Sequence, residues 1–173
     1  MYDVIYADPP WHVKAGPGWN PNGISRELIY PTMSIDAIKA LPVSDIANPD
    51  CRLFLWTINK YLPHAFNVID AWGFNYSTTL VWCKTPNGIG LGGTFSITNE
   101  YLLFAYRGKC GASVRHNTTW HHAKRGRHSR KPDIFRTMIE QSFPNTKRIE
   151  LFARERFAGW DAWGNEIESD IKL

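Results

Sequence analysis

The strongest hydrophobic signal lies at the start of the chain, where Val4-Ile5-Tyr6-Ala7 follows Asp3 with no polar interruption. A strand with one wet face would alternate, so this run predicts a short strand over Asp3–Ala7 buried on both faces. Pro9 and Pro10 then stop it. Leu53 to Thr57 reads as a second buried strand, and Thr78 to Cys83 and Glu100 to Tyr106 as two more. Ser34 is placed to cap a short helix that ends before Pro42. Lys60 to Trp72 brings Leu62, Phe66, Ile69 and Trp72 roughly to one side of a helix, with Gly73 as its stop signal. Pro132 suits the first turn of a later helix whose core side is Ile134, Phe135, Met138 and Ile139. A Pro144-Asn145-Thr146 turn then leads into a strand from Arg148 to Phe152. Strands alternating with helices predict an α/β fold: a mostly parallel sheet flanked by helices, in a single domain over residues 1–173. In such sheets ligands bind beyond the carboxyl ends of the strands. That rule selects the turn after Ala7 and the loop after Phe152.

Composition adds limits. Hydrophobic residues make up 43% and charged residues 21% of the 173, which is ordinary globular usage and argues against disorder. No apolar run is long enough to span a bilayer, and the first residues lack a basic segment and cleavage site of the secretory kind. Cys51, Cys83 and Cys110 are odd in number, without a C-x-x-C pair, so small core thiols in a reducing, cytoplasmic setting are expected. Net charge is +4, but it is unevenly spread. Tyr101 to Pro132 contains no acid, and Arg107, Lys109, Arg115, Lys124, Arg125, Arg127, Arg130 and Lys131 give it a local charge of +8. Such a run is either a solvated loop or a phosphate-contacting face. His116, His121, His122 and His128 share the window. Adjacent histidines diverge on a strand and no acid is at hand, so phosphate contact or a plain loop is favoured over a metal site.

Asp8-Pro9-Pro10-Trp11 closes the first strand. As structure alone it is a turn. As chemistry, a carboxylate and proline carbonyls can accept protons of an exocyclic amine, prolines supplying acceptors without competing N–H donors, and an aromatic ring can stack on an extruded base. No G-x-G-x-x-G follows a strand, which disfavours a nicotinamide site. The run Gly88 to Gly93 lacks the G-K-[ST] ending of a phosphate-binding loop, leaving a mobile substrate-side loop or an idle surface one.

The D-P-P-W signature resembles that of the MT-A70 family of adenine N6-methyltransferases, and the resemblance continues along almost the whole chain. It includes Tyr30-Pro31-Thr32-Met33-Ser34, Leu53-Phe54-Leu55-Trp56, Val81-Trp82-Cys83-Lys84-Thr85, Asn99-Glu100 and His128-Ser129-Arg130-Lys131-Pro132-Asp133. It goes on through Lys147-Arg148-Ile149-Glu150-Leu151-Phe152-Ala153-Arg154, Gly159-Trp160 and Gly164-Asn165-Glu166. The resemblance implies a Rossmann-like methyltransferase domain in permuted order, with the catalytic turn ahead of the cofactor strand, and S-adenosylmethionine as methyl donor. It implies that Asp8 and the Pro9 backbone hold the target amine, Asp8 also approaching the donor, while Pro10 completes the turn and Trp11 shapes the base pocket. Lys131 would meet the donor's carboxylate, Glu150 its ribose, and Phe152, Arg154, Asn165 and Glu166 the rest of it. Glu100 would line the target-adenine pocket, with Tyr30 and Lys84 on the substrate side. Arg125 and Arg127, from the basic window, are the expected phosphate contacts.

Longer family members carry a further strand ahead of the catalytic turn. Here only seven residues precede Asp8, so the donor-adenine contact is supplied otherwise, or the chain is a minimal or truncated form. The absence of an appended domain resembles bacterial and phage members, which act on DNA. RNA is the alternative substrate, and a non-catalytic nucleic-acid-binding partner a further one that the intact Asp8 disfavours. A homodimer would give so small a domain the reach to cover duplex.

Overall fold

The computed structural model describes residues 1–12, 31–85, 94–126 and 130–173. In chain order these form β1 (Tyr2–Ala7), α1 (Ile35–Lys39), α2 (Val43–Ile46), β2 (Ala47–Thr57), a 3-10 turn (Asn59–Tyr61), α3 (Leu62–Ala71), β3 (Asn75–Thr85) and β4 (Asn99–Arg107). Then come β5 (Trp120–Lys124), α4 (Asp133–Ser142), β6 (Arg148–Leu151) and β7 (Asp161–Trp163).

Among the described residues one sheet of seven strands runs in the order β5-β3-β4-β2-β1-β6-β7. Only β4 is antiparallel to its neighbours; the other six strands point the same way. The predicted mostly parallel α/β fold is therefore observed, and it is Rossmann-like in its central sheet and two helical layers.

The sequence of β1 has no polar alternation because both its faces are covered. Ile5 and Ala7, with Leu53, Leu55 and Leu103, face α1 and α3 and meet Ile38, Val68, Ile69 and Trp72. Val4 and Tyr6, with Phe54, Trp56 and Leu102, face α4 and meet Phe135 and Ile139. Ser34 caps α1 as expected, its hydroxyl accepting from the Ala37 amide at 3.1 Å. Gly73, at φ +78°, ends α3. Its amide donates to the Asp70 carbonyl and that of Phe74 to the Ile69 carbonyl, a paired closure that needs a left-handed residue.

Three expectations change in detail. Pro132 is the cap residue of α4 rather than its first helical residue. Ile134, assigned to the core side of α4, is 41% exposed, because the face against the sheet starts at Phe135 and returns at Ile139. The strand over Arg148–Phe152 ends at Leu151, since Phe152 turns into the left-handed region at φ +63°.

Candidate active site

β1 lies between β2 and β6, so the chain leaves it in opposite directions on its two sides. A crevice opens beyond the carboxyl ends at such a reversal, and Asp8 stands there as the first residue after β1. Its amide donates to the Leu151 carbonyl at 3.4 Å, tying the turn to the end of β6. The Pro9 carbonyl accepts from the Trp11 amide at 2.8 Å and the Pro10 carbonyl from the Met33 amide at 2.9 Å. Each keeps a second lone pair.

Trp11 does not offer a face for stacking on a base. It is 5% exposed, stacked on Tyr61 at 5.5 Å between centroids, and its indole N–H donates to the Trp56 carbonyl at 3.0 Å. It anchors the turn, and the stacking on an extruded base expected of an aromatic ring here is not open to it.

Two acids and two lysines from four parts of the chain meet beside this turn. Lys131 Nζ lies 2.8 Å from Asp8 Oδ2 and 3.2 Å from Glu100 Oε2. Lys84 Nζ lies 2.5 Å from the other Glu100 oxygen. Glu100 opens the antiparallel strand β4 while Lys84 closes β3. That reversal is what brings both side chains to the end of the sheet where Asp8 sits. The ammonium groups of Lys84 and Lys131 also lie 5.1 Å and 5.4 Å from the rings of Trp82 and Trp56. Burial pushes the Asp8 carboxyl above its ordinary value, and Glu100 adds to this, while Lys131 pulls against both. Burial also opposes ionisation of Glu100, but Lys131 and Lys84 together outweigh it and hold that carboxyl below its usual value. For Lys131 burial disfavours the charge, yet Asp8 and Glu100 more than offset it and raise its pKa.

On the α4 side the crevice widens into a cleft of about 580 Å³ lined by Asp8, Lys131, Arg136, Glu150, Phe152 and Arg154, among others. Glu150 is in register with Tyr6 and projects from the same face. Arg136 holds its Oε2 at 2.6 Å. Burial nonetheless raises the Glu150 carboxyl, with Arg136 pulling it down. The guanidinium of Arg136 is itself enclosed, 3.7 Å from the ring centroid of Phe157, 4.8 Å from Trp160 and 5.1 Å from Tyr6. Sequence reasoning passed over Arg136. A lone cation one residue after Phe135, inside an otherwise apolar helix face, was the available signal.

Phe152 borders both this cleft and a smaller pocket of about 90 Å³ that includes Asn165 and Glu166. Its positive φ is unusual for a bulky residue and carries strain of the kind found at functional turns. Its ring meets Trp163 edge-on at 5.3 Å. Arg154 Nε lies 3.5 Å from Glu166 Oε1 across the rim. Gly164 makes that closeness possible, since a Cβ there would stand 2.1 Å from the Ala153 carbonyl oxygen.

The structure thus brings Asp8, Pro9, Pro10, Lys84, Glu100, Lys131, Glu150, Phe152, Arg154, Asn165 and Glu166 to one end of the sheet. Arg125 is exposed just after β5, and Gly126, the next residue, lines the cleft with Asp8. Tyr30, Arg127, His128 and Gly88–Gly93 lie outside the described residues. Trp120 and His122 project from one face of β5 and His121 from the other, and His116 Nε2 lies 2.8 Å from Ser142 Oγ. Among the described residues no three His, Cys, Asp or Glu side chains cluster as metal ligands, and no helix is long and apolar enough to cross a membrane.

Comparison with known proteins places this arrangement. A Type II methyltransferase, M.MunI, from Mycoplasma sp is 36% identical over 186 residues, covering 96% of this chain and 78% of that protein. An N(6)-adenosine-methyltransferase MT-A70-like protein of Arabidopsis thaliana is 29% identical over 174 residues, covering 96% of this chain. The human N(6)-adenosine-methyltransferase catalytic subunit METTL3 is 28% identical over 184 residues, again covering 96% of this chain. The chain spans only 24% and 28% of the lengths of these last two. The MT-A70 family profile matches residues 2–166, from the first strand through the Arg154–Glu166 rim, and the chain therefore belongs to the MT-A70 family.

Proposed function

We propose that this chain is an S-adenosylmethionine-dependent methyltransferase acting on the N6 amine of adenine in DNA, with residues 1–173 as one catalytic domain. The observation that carries the reading is the placement of Asp8 at the chain reversal, 2.8 Å from Lys131 and on the wall of the large cleft. Membership of the MT-A70 family supports the chemistry. DNA is favoured because the Type II methyltransferase M.MunI is 36% identical to this chain, against 29% and 28% for the two N(6)-adenosine-methyltransferases. One relative of 29% identity is named an RNA methyltransferase, and RNA is the alternative substrate.

The donor fits the residues present. The cleft volume of about 580 Å³ falls within the range of small-molecule sites. Lys131, just ahead of the N-terminus of α4, suits a carboxylate; Glu150, oriented by Arg136, suits ribose hydroxyls; Phe152 supplies an aromatic wall. Arg154, Asn165 and Glu166 complete the rim, and Asp8 reaches the same space. When bound, S-adenosylmethionine supplies an electrophilic methyl group on a sulfonium.

Asp8, as a carboxylate, accepts a hydrogen bond from the adenine amine, with the free lone pair of the Pro9 carbonyl as a second acceptor. Both draw the nitrogen toward its pyramidal, nucleophilic form. Pro10 and the buried Trp11 fix the turn, so little reorganisation accompanies the reaction. Lys84 and Glu100 shape the substrate side, and Arg125 and Arg127 are the phosphate contacts of this reading. The test is transfer of a labelled methyl group to duplex DNA, single-stranded DNA and RNA, with the product base mapped. N6-methyladenine in DNA is expected, and label confined to RNA would overturn the substrate assignment.

A further inference from the structure

Edge strand β5 presents a surface that the site above does not use. His121 turns toward α4, its ring 5.5 Å from Phe135 and edge-on to it. Trp120, His122 and Lys124 therefore project from the opposite face, all exposed. Trp120 is 56% exposed and meets the His122 ring edge-on at 5.4 Å. Trp120 thus leaves a large aromatic face open on the edge strand, of the kind on which a base can stack.

Its position suggests that ligand. β5 pairs with β3 as a parallel strand, Trp120 opposite Val81 and Lys124 opposite Thr85, so the row ends on the same edge of the sheet as Asp8. Three strands separate β5 from β1, roughly 19 Å at the usual spacing of about 4.8 Å. The donor cleft opens on the α4 side, whereas Trp120 stands on the other. A strand delivering a base over the edge to Asp8 could lie against Trp120 without entering the donor's space. The charge agrees: Lys124 and Arg125 follow at once, and no acid occurs from Tyr101 to Pro132.

We infer that Trp120 is a stacking platform for an unpaired base a few nucleotides from the target adenine, with Lys124 and Arg125 on the adjoining phosphates. The inference rests on the methyltransferase reading. Base–aromatic stacking of this kind is sequence-tolerant, and its removal weakens binding by roughly 5- to 150-fold. The test measures affinity for an adenine-containing, mixed-sequence single-stranded DNA oligonucleotide by the wild type, Trp120→Ala and Trp120→Phe. Self-association and S-adenosylhomocysteine binding are followed in parallel. Trp120→Ala should lose affinity for the oligonucleotide in that range, Trp120→Phe should keep most of it, and S-adenosylhomocysteine binding should be unchanged. Equal oligonucleotide affinity in Trp120→Ala and wild type overturns the platform. So does a change in self-association alone, which would make a second copy of this chain the occupant. Failure of the wild type to transfer a labelled methyl group to any of duplex DNA, single-stranded DNA or RNA would instead overturn the methyltransferase reading itself.

Discussion

At Asp8 two effects oppose each other: burial raises the carboxyl's pKa, and Lys131 at 2.8 Å pulls it down without fully offsetting the burial. On the proposed mechanism only the ionised form accepts a proton from the amine, so the cation would set the pH range in which the acid works. Replacing Lys131 with glutamine removes the lowering influence and leaves the raising ones. The acid limb of the pH profile of kcat/KM should then move to higher pH, and an unmoved limb would show that Lys131 does not control Asp8. Arg136 does related work at Glu150, from within a cage of three aromatic rings. Arg136→Met leaves a buried carboxylate uncompensated, at a cost of about 3–5 kcal/mol. Adding Glu150→Met should restore most of that stability, because an apolar pair can replace a buried ion pair. S-adenosylhomocysteine binding should stay weak in the double variant. Urea unfolding and calorimetry separate the two, and recovered binding would remove Glu150 from the donor site.

Among the elements, β6 and β7 hold the proposed donor rim together through a close backbone approach. Gly164 follows β7, and a Cβ there would lie 2.1 Å from the oxygen and 2.8 Å from the nitrogen of Ala153, both backbone atoms. Gly164→Ala should cost about 1–3 kcal/mol as an overpacking change and lower S-adenosylhomocysteine affinity by displacing Asn165 and Glu166. Stability and affinity equal to wild type would mean that the turn yields freely. The elements differ in how readily they could be read from sequence. β1 and the centre of β2 were legible because both faces are buried and the run is wholly apolar. The polar start of β2, Asn48-Pro49-Asp50, was not, since those residues fall at an irregularity in the pairing with β1 and bury little. β5 was missed because an edge strand buries little: Trp-His-His-Ala-Lys carries no apolar alternation. β7 was missed because three residues are too few for a period. The Lys84–Glu100–Lys131–Asp8 group was half legible: each residue was singled out, but their mutual pairing depends on the reversal of β4, which no local pattern encodes.

For the whole molecule, the division of labour between the two sheet faces matters most. On the proposed reading the α4 face provides the donor cleft and the opposite face carries the Trp120 row, while the acid-free basic window runs from within β4 to the start of α4. If that window meets phosphates, binding must weaken with salt, by about 0.9 in the log–log slope per contact. Arg125→Gln with Arg127→Gln should reduce the slope by up to about 1.8, and an unaltered slope would make both arginines bystanders. The most direct test of the central claim compares methyl transfer to adenine in DNA by the wild type and Asp8→Asn, alongside S-adenosylhomocysteine affinity for each. The account predicts a fall in turnover of at least about 10²-fold with that affinity largely retained. Undiminished turnover in Asp8→Asn would contradict it.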